Sequence, residues 1–153
     1  MQRTPMSRWP MAAAALVLGL ANSAAGAATT YWTDWIGTNV VPNGFQGTGT
    51  ITTPTTTIQV TYTNPQGIGF YETGSGGDYW IGGSGVTSPY TSSAVDNRPT
   101  GSDMIALQYM GSQTLSFSQA IANPVFAFVS LNGNGYSFNQ DFELLSLAGE
   151  NGK

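Results

Sequence analysis

Between Thr57 and Thr63, Ile58, Val60 and Tyr62 alternate with Thr57, Gln59, Thr61 and Thr63. A period of two sends the apolar set to one face of a pleated strand and the hydroxyl and amide set to the other. The wider stretch "GTGTITTPTTTIQVTYT", Gly47 to Thr63, is threonine-rich enough to read as a solvated, mucin-like stalk. Such stalks scatter Pro among Ser and Thr and carry no alternating large apolar residues, so the alternation favours a strand pair. Pro54 falls between "TGTIT" and "TTIQVTYTN", where a turn or sheet edge is expected. Threonine suits this arrangement because its β-branched side chain packs well on a half-exposed sheet surface.

The same grammar recurs along the chain. "YWTDWI" (31 to 36), "IGFYE" (68 to 72), "DYWI" (78 to 81), "MIALQYM" (104 to 110) and "QTLSFS" (113 to 118) read as strands. So do "VFAFVSL" (125 to 131), "YSF" (136 to 138) and "DFELLSL" (141 to 147), with Gly, Pro, Asn and Ser clusters between the runs. "VFAFV" is apolar on both faces and is expected centrally, and "LNGNGY" carries the Asn-Gly pairs of a tight reversal. No mature window sustains a helical spacing, although "SQAIANP" (118 to 124) could form one helical turn before Pro124. The expected fold is all-β, an antiparallel β-sandwich of jelly-roll type.

Residues 1 to 27 have the three parts of a secretory signal peptide: Arg3 and Arg8, the apolar run Met11 to Ala21, and the small-residue site Ala25-Gly26-Ala27. The run is shorter than the roughly 20 residues needed to span a bilayer. A signal-peptide helix is therefore expected over 1–27 and a single domain over 28–153, with no membrane span in the mature chain. Beyond the leader only Arg98 and Lys153 are basic, against Asp34, Glu72, Asp78, Asp96, Asp103, Asp141, Glu143 and Glu150. That balance repels polyanions and argues against nucleic acid and acidic lipid surfaces as partners. Charged residues are 8% of the chain, far below the roughly 25% usual in soluble domains, and Thr, Ser, Asn, Gln and Gly take their place, as suits an extracellular surface.

The chain has neither histidine nor cysteine, which removes Ser-His-Asp and Cys-His catalysis, the usual zinc sites, haem attachment and iron–sulfur ligation. Two carboxylates can still hydrolyse a glycosidic bond. Asp141 and Glu143 stand at i and i+2 on "DFELL", on one face of the expected strand, but no third polar group in the sequence orients them, and a solvated outer face is the preferred reading. Asp96, Asn97 and Asp103 lie in one Pro/Gly loop and are candidates for calcium. The spacing is not that of an EF-hand, and capping of their own turns is the competing reading. No other cofactor is expected. "GSGGDYWIGGSG" lacks the Lys and following helix of a phosphate loop. It does hold Asp78, Tyr79 and Trp80, with Tyr90 further on: aromatic faces for stacking on sugars and a carboxylate to accept from hydroxyls. The competing reading makes Trp80 core and Tyr79 a sheet-edge residue. In "YWTDW", Trp32 and Trp35 are at odd spacing and should face opposite sides of a strand.

"QTLSFSQAIANPVFAFVSLNGNGYSFNQDFELLS", with "TTPTTTIQVTYTNPQG" and "RPTGSDMIAL" upstream, resembles a family of bacterial secreted β-sandwich proteins found with PEP-CTERM (exosortase-type) sorting tails, close in style to the choice-of-anchor domains. The resemblance covers most of Ala28 to Ser146. It implies export, an all-β extracellular domain and a place at the cell surface or in the exopolysaccharide matrix, and brings no established activity. Family members continue into a Pro-Glu-Pro motif, an apolar helix and an Arg-rich end, whereas here the sequence ends "AGENGK". The expectation is a fragment lacking its last strands and anchor, with an unprotected edge strand. The functional expectation is an exported structural or interaction protein. A carbohydrate-binding module is the alternative, and a carboxylate-based glycoside hydrolase the third reading. Expected partners are extracellular polysaccharide or other surface proteins, with signal peptidase and the secretion machinery during export.

Overall fold

The computed structural model describes residues 29–81, 88–99, 101–129 and 135–147. The expected leader over 1–27 and most of the Asn-Gly reversal lie outside the described residues. Six strands form: β1 (Asp34–Asn39), β2 (Phe45–Thr52), β3 (Thr57–Asn64), β4 (Phe70–Glu72), β5 (Met104–Ala106) and β6 (Thr114–Phe117). They make a four-stranded antiparallel sheet in the order β1-β2-β3-β6 and a two-stranded antiparallel sheet of β4 and β5. The fold is all-β and sandwich-like. Among the described residues no helix is long and apolar enough to cross a membrane.

The threonine run is a hairpin. β2 and β3 pair without a break from Phe45↔Asn64 to Thr52↔Thr57. The reversal at Thr53–Thr56 is closed by the Thr53 N–H donating to the Thr56 carbonyl at 2.8 Å. The buried Thr53 hydroxyl also accepts from the Thr55 and Thr56 N–H groups at 3.3 and 3.1 Å, so a side chain satisfies the turn that Pro54 enters. On the inner face, Ile51, Ile58 and Val60 are buried and form a cluster flanked by Tyr31, Trp35, Leu115, Phe117 and Ile121. The alternation in the sequence is thus an alternation in burial.

The inner face of β2 reads Phe45, Gly47, Gly49, Ile51, with both glycines buried. They form a notch for aromatic rings. A Cβ on Gly49 would sit 2.7 Å from the Asp34 carbonyl oxygen and 2.9 Å from the Trp35 ring; one on Gly47 would meet the rings of Phe45 and Tyr71. Tyr71, from β4 of the second sheet, lies over this notch with its centroid 5.1 Å from Phe45 and 6.2 Å from Trp35. Its hydroxyl reaches the carbonyls of Gly37, at 2.9 Å, and Thr48, at 3.2 Å. These residues face each other where a bulge between Trp35 and Gly37 shifts the β1 register. One side chain therefore packs the second sheet on the first and binds carbonyls beside an irregular ladder.

Several expected strands are shorter or missing. "DYWI" is a turn at Tyr79-Trp80, and residues 125–129, 136–138 and 141–147 have no ladder pairing; "SQAIANP" is not helical. β propensity measures fit to a neighbouring strand, and among the described residues no strand pairs with these segments. The "VFAFV" run accordingly has an exposed Phe126, and Phe126, Phe128, Tyr136, Phe138 and Phe142 instead contact one another ring to ring.

Gly49→Ala should destabilise the protein by about 1–3 kcal/mol, the usual range for overpacking, because the new methyl meets backbone. Urea unfolding of wild type and variant measures the loss as a lower midpoint at unchanged slope.

Candidate functional site

Asp103 organises the side of the molecule where the two sheets approach. It immediately precedes β5, and its Oδ2 accepts from the Trp35 N–H at 2.7 Å while Oδ1 accepts from the Gly74 N–H at 2.6 Å. Gly74 has φ of +70°, a left-handed backbone that glycine adopts without strain. The Asp103 carbonyl accepts from the Trp80 indole N–H at 3.3 Å. One residue therefore ties β1, the loop after β4 and the Trp80 turn together through charge-assisted and ordinary hydrogen bonds.

Beside this clamp opens a cleft of about 270 Å³ lined by Trp32, Thr33, Asp34, Gly74, Gly101 and Asp103. Its chemistry is an indole, two carboxyl groups and exposed backbone. Removal of water from around the Asp34 carboxyl, then the Asp103 negative charge and a hydrogen bond with Asp103, raise Asp34 above the usual carboxylate range. Trp32 is fixed in this lining by its indole N–H donating to the Asn97 carbonyl at 3.3 Å.

The sugar-reading candidates fall into a different cluster. Trp80 is 7% exposed, with Tyr90 edge-on at 5.3 Å, and burial pushes the Tyr90 hydroxyl above its usual pKa. Asp78 accepts from the Trp80 N–H at 2.9 Å and pairs with Arg98 at 3.2 Å. Tyr79 alone points outward, 45% exposed, beside Phe70 at 6.3 Å. Trp80 packs as core because its neighbours cover both the ring and its N–H, so it offers no free face for stacking.

The calcium candidates are divided between two tasks. Asn97 takes both backbone groups of Thr30, accepting from its N–H at 2.7 Å and donating to its carbonyl at 2.8 Å, while Asp96 accepts from the Thr29 hydroxyl at 2.9 Å. This pair holds the segment leading into β1, and Asp103 serves the clamp. Among the described residues no three His, Cys, Asp or Glu side chains converge on a common point. Asp141 and Glu143 are exposed on a segment without strand structure, and the intervening Phe142 is 68% exposed, so the two-faced strand expected there is absent.

Sequence reasoning missed Asp34 and the role of Trp32. The signal available was "WTD", an indole and a carboxylate in immediate succession, but nothing local shows that Asp103 lies beside them.

An acid whose pKa is raised on folding contributes stability that is full below its unfolded value, near 3.8 for Asp34, and is lost as pH rises through the folded value. Asp34→Asn removes this dependence. The variant should therefore gain more stability over wild type at pH 7 than at pH 3.5, measured by thermal melts at both pH values; an equal difference at the two would contradict the carboxyl pairing. No protein-family model, curated protein or solved structure matches the chain.

Proposed function

We propose that this chain is an exported protein of the cell surface or exopolysaccharide matrix, with a structural or interaction role. The observation that carries the reading is the outer face of the four-stranded sheet. Asn39, Gln46, Thr63 and Thr114 stand opposite one another across all four strands, and Thr48, Thr61 and Ser116 form a second row. The Asn39 amide donates to Gln46 at 2.7 Å, and the Gln46 amide to the Thr63 hydroxyl at 3.2 Å. These rows form an uncharged surface of hydroxyls and amides that hydrogen-bonds in any direction without requiring a charged partner. With the leader-like first 27 residues and a chain 8% charged, it suits a molecule working among neutral polymers outside the cell.

A second reading, carbohydrate binding, is favoured by the cleft. An indole and two carboxyl groups in one lining are the groups that stack on and hydrogen-bond to a sugar. This moves the candidate residues from Asp78, Tyr79, Trp80 and Tyr90 to Trp32, Asp34 and Asp103.

Expression of the complete chain in a bacterial host, followed by fractionation and N-terminal sequencing, tests the first reading. Cleavage after Ala27 and recovery in the surface or matrix fraction are expected; an uncleaved, cytoplasmic product would refute it. A glycan array tests the second: bound polysaccharide should be released at least tenfold more readily from Trp32→Ala, whereas Trp80→Ala should chiefly lower the melting temperature.

A further inference from the structure

The loop between β1 and β2 requires glycine at position 44. Gly44 has φ of +75°, in the left-handed region, and a Cβ there would overlap the Asn64 carbonyl and Pro65 at the end of β3. The residue before it is Asn43. Asparagine is a chemically labile residue, and a side chain on the next residue protects it by crowding the main-chain nitrogen that would attack its amide. The fold therefore demands, at one position, the residue that leaves Asn43 unshielded.

The local structure adds two further conditions. Residues 42–44 form a bend outside both ladders, since β1 and β2 last pair at Asn39↔Gln46 and β2 and β3 first pair at Phe45↔Asn64. Asn43 is exposed, and among the described residues neither its side-chain amide nor the Gly44 N–H has a hydrogen-bond partner. Other asparagines differ on each count. Asn39 donates to Gln46 at 2.7 Å and precedes the β-branched Val40. Asn64 is buried, accepts from the Gln66 N–H at 3.0 Å, and precedes Pro65, which has no N–H. Asn97 is held on both sides by Thr30 and precedes Arg98. Asn132, Asn134 and Asn151 also precede glycine and lie outside the described residues.

We propose that Asn43 is a site of spontaneous modification in the folded protein, converted through a cyclic imide to aspartate and isoaspartate. The Gly44 nitrogen gives up its proton and attacks Asn43 Cγ. The new N–C bond closes a five-membered ring, the bond from Cγ to the amide nitrogen breaks, and that nitrogen leaves as ammonia with the proton. Water, the one co-reactant, then opens the ring. Attack at the side-chain carbonyl gives aspartate, and attack at the main-chain carbonyl gives isoaspartate. Either product puts a carboxylate in place of a neutral amide at the turn, on a chain whose net charge is already −4. Isoaspartate also lengthens the main chain by one carbon just before Gly44 and Phe45, and Phe45 packs against Tyr62 and Tyr71. The inference does not depend on where the protein works.

The folded, full-length chain, held in warm, mildly alkaline buffer made with heavy-oxygen water and then cut by chymotrypsin, provides the test. Cleavage after Trp35 and Phe45 yields one peptide, residues 36–45, that contains both Asn39 and Asn43. Mass spectrometry with electron-transfer fragmentation should find heavy oxygen at residue 43, as a mixture of isoaspartate and aspartate, formed at least tenfold faster than any change at Asn39. The rate should rise with pH, because the attacking nitrogen must lose its proton. Asn43→Gln, whose longer side chain would have to close a six-membered ring, should slow conversion at least tenfold and leave the urea midpoint unchanged. Asn43 that stays an amide in the folded chain but converts in urea would show that the fold protects it. Equal conversion of Asn39 would show that the structure selects nothing, and aspartate without isoaspartate would mean direct hydrolysis with no ring. Each of these three results overturns the proposal.

Discussion

Tyr71 packs over Gly47, between Phe45 and Trp35, and joins the two sheets, and most of the remaining architecture depends on that contact. Gly47 and Gly49 leave the space, Phe45 and Trp35 bound it, and the hydroxyl binds the Gly37 and Thr48 carbonyls beside the β1 bulge. Burial of the ring draws most of its value from removal of apolar surface from water, and the aromatic edges contribute a further ~0.5–1.5 kcal/mol per pair. The hydroxyl matters for a different reason. A carbonyl left without a partner in a packed interior costs more than a hydrogen bond gains, so the single phenol proton, shared between the two, helps to make the bulge tolerable.

From that junction the charges follow. The bulge and the start of β1 bring Asp34 beside Asp103, and Asp103 is held there because the N–H groups of Trp35 and Gly74 both point at it. Partial desolvation, and then the Asp103 charge, raises the pKa of Asp34 there. The cleft belongs to the same geometry: Asp103 holds the loop after β4 and the start of β1 together, and residues of both line it. The reading as a sugar-binding cleft and the structural clamp thus share one residue, Asp103, in two roles.

The hairpin was fully legible in the sequence, because a period of two with a Pro-containing turn leaves little alternative, and Ile58, Val60 and Tyr62 are buried as the alternation requires. The site was not. Asp96, Asn97 and Asp103 stand close in sequence, which suggested a common ligand, but their side chains serve backbone groups in different parts of the fold. Trp80, flanked by glycines, admits two readings in sequence, a sugar-stacking face or core; Tyr90 and the Asp103 carbonyl cover it, as the core reading requires. In the latter half of the chain, apolar alternation over 125–129 and 141–147 overstated the strands, since a strand exists only where a neighbour accepts its hydrogen bonds.

Sequence alone determined that this is a β protein with a hydroxyl-covered outer face, low in charge and lacking the histidine and cysteine on which much familiar catalysis and metal binding rely. These properties are set by composition and by spacing within a few residues, and no folding pattern can alter them. Tertiary structure decided which aromatics are core and which carboxyls meet. Those depend on pairs far apart in the chain, Trp35 with Asp103 or Tyr71 with Gly37, whose proximity is fixed by strand order and by the space that two glycines leave.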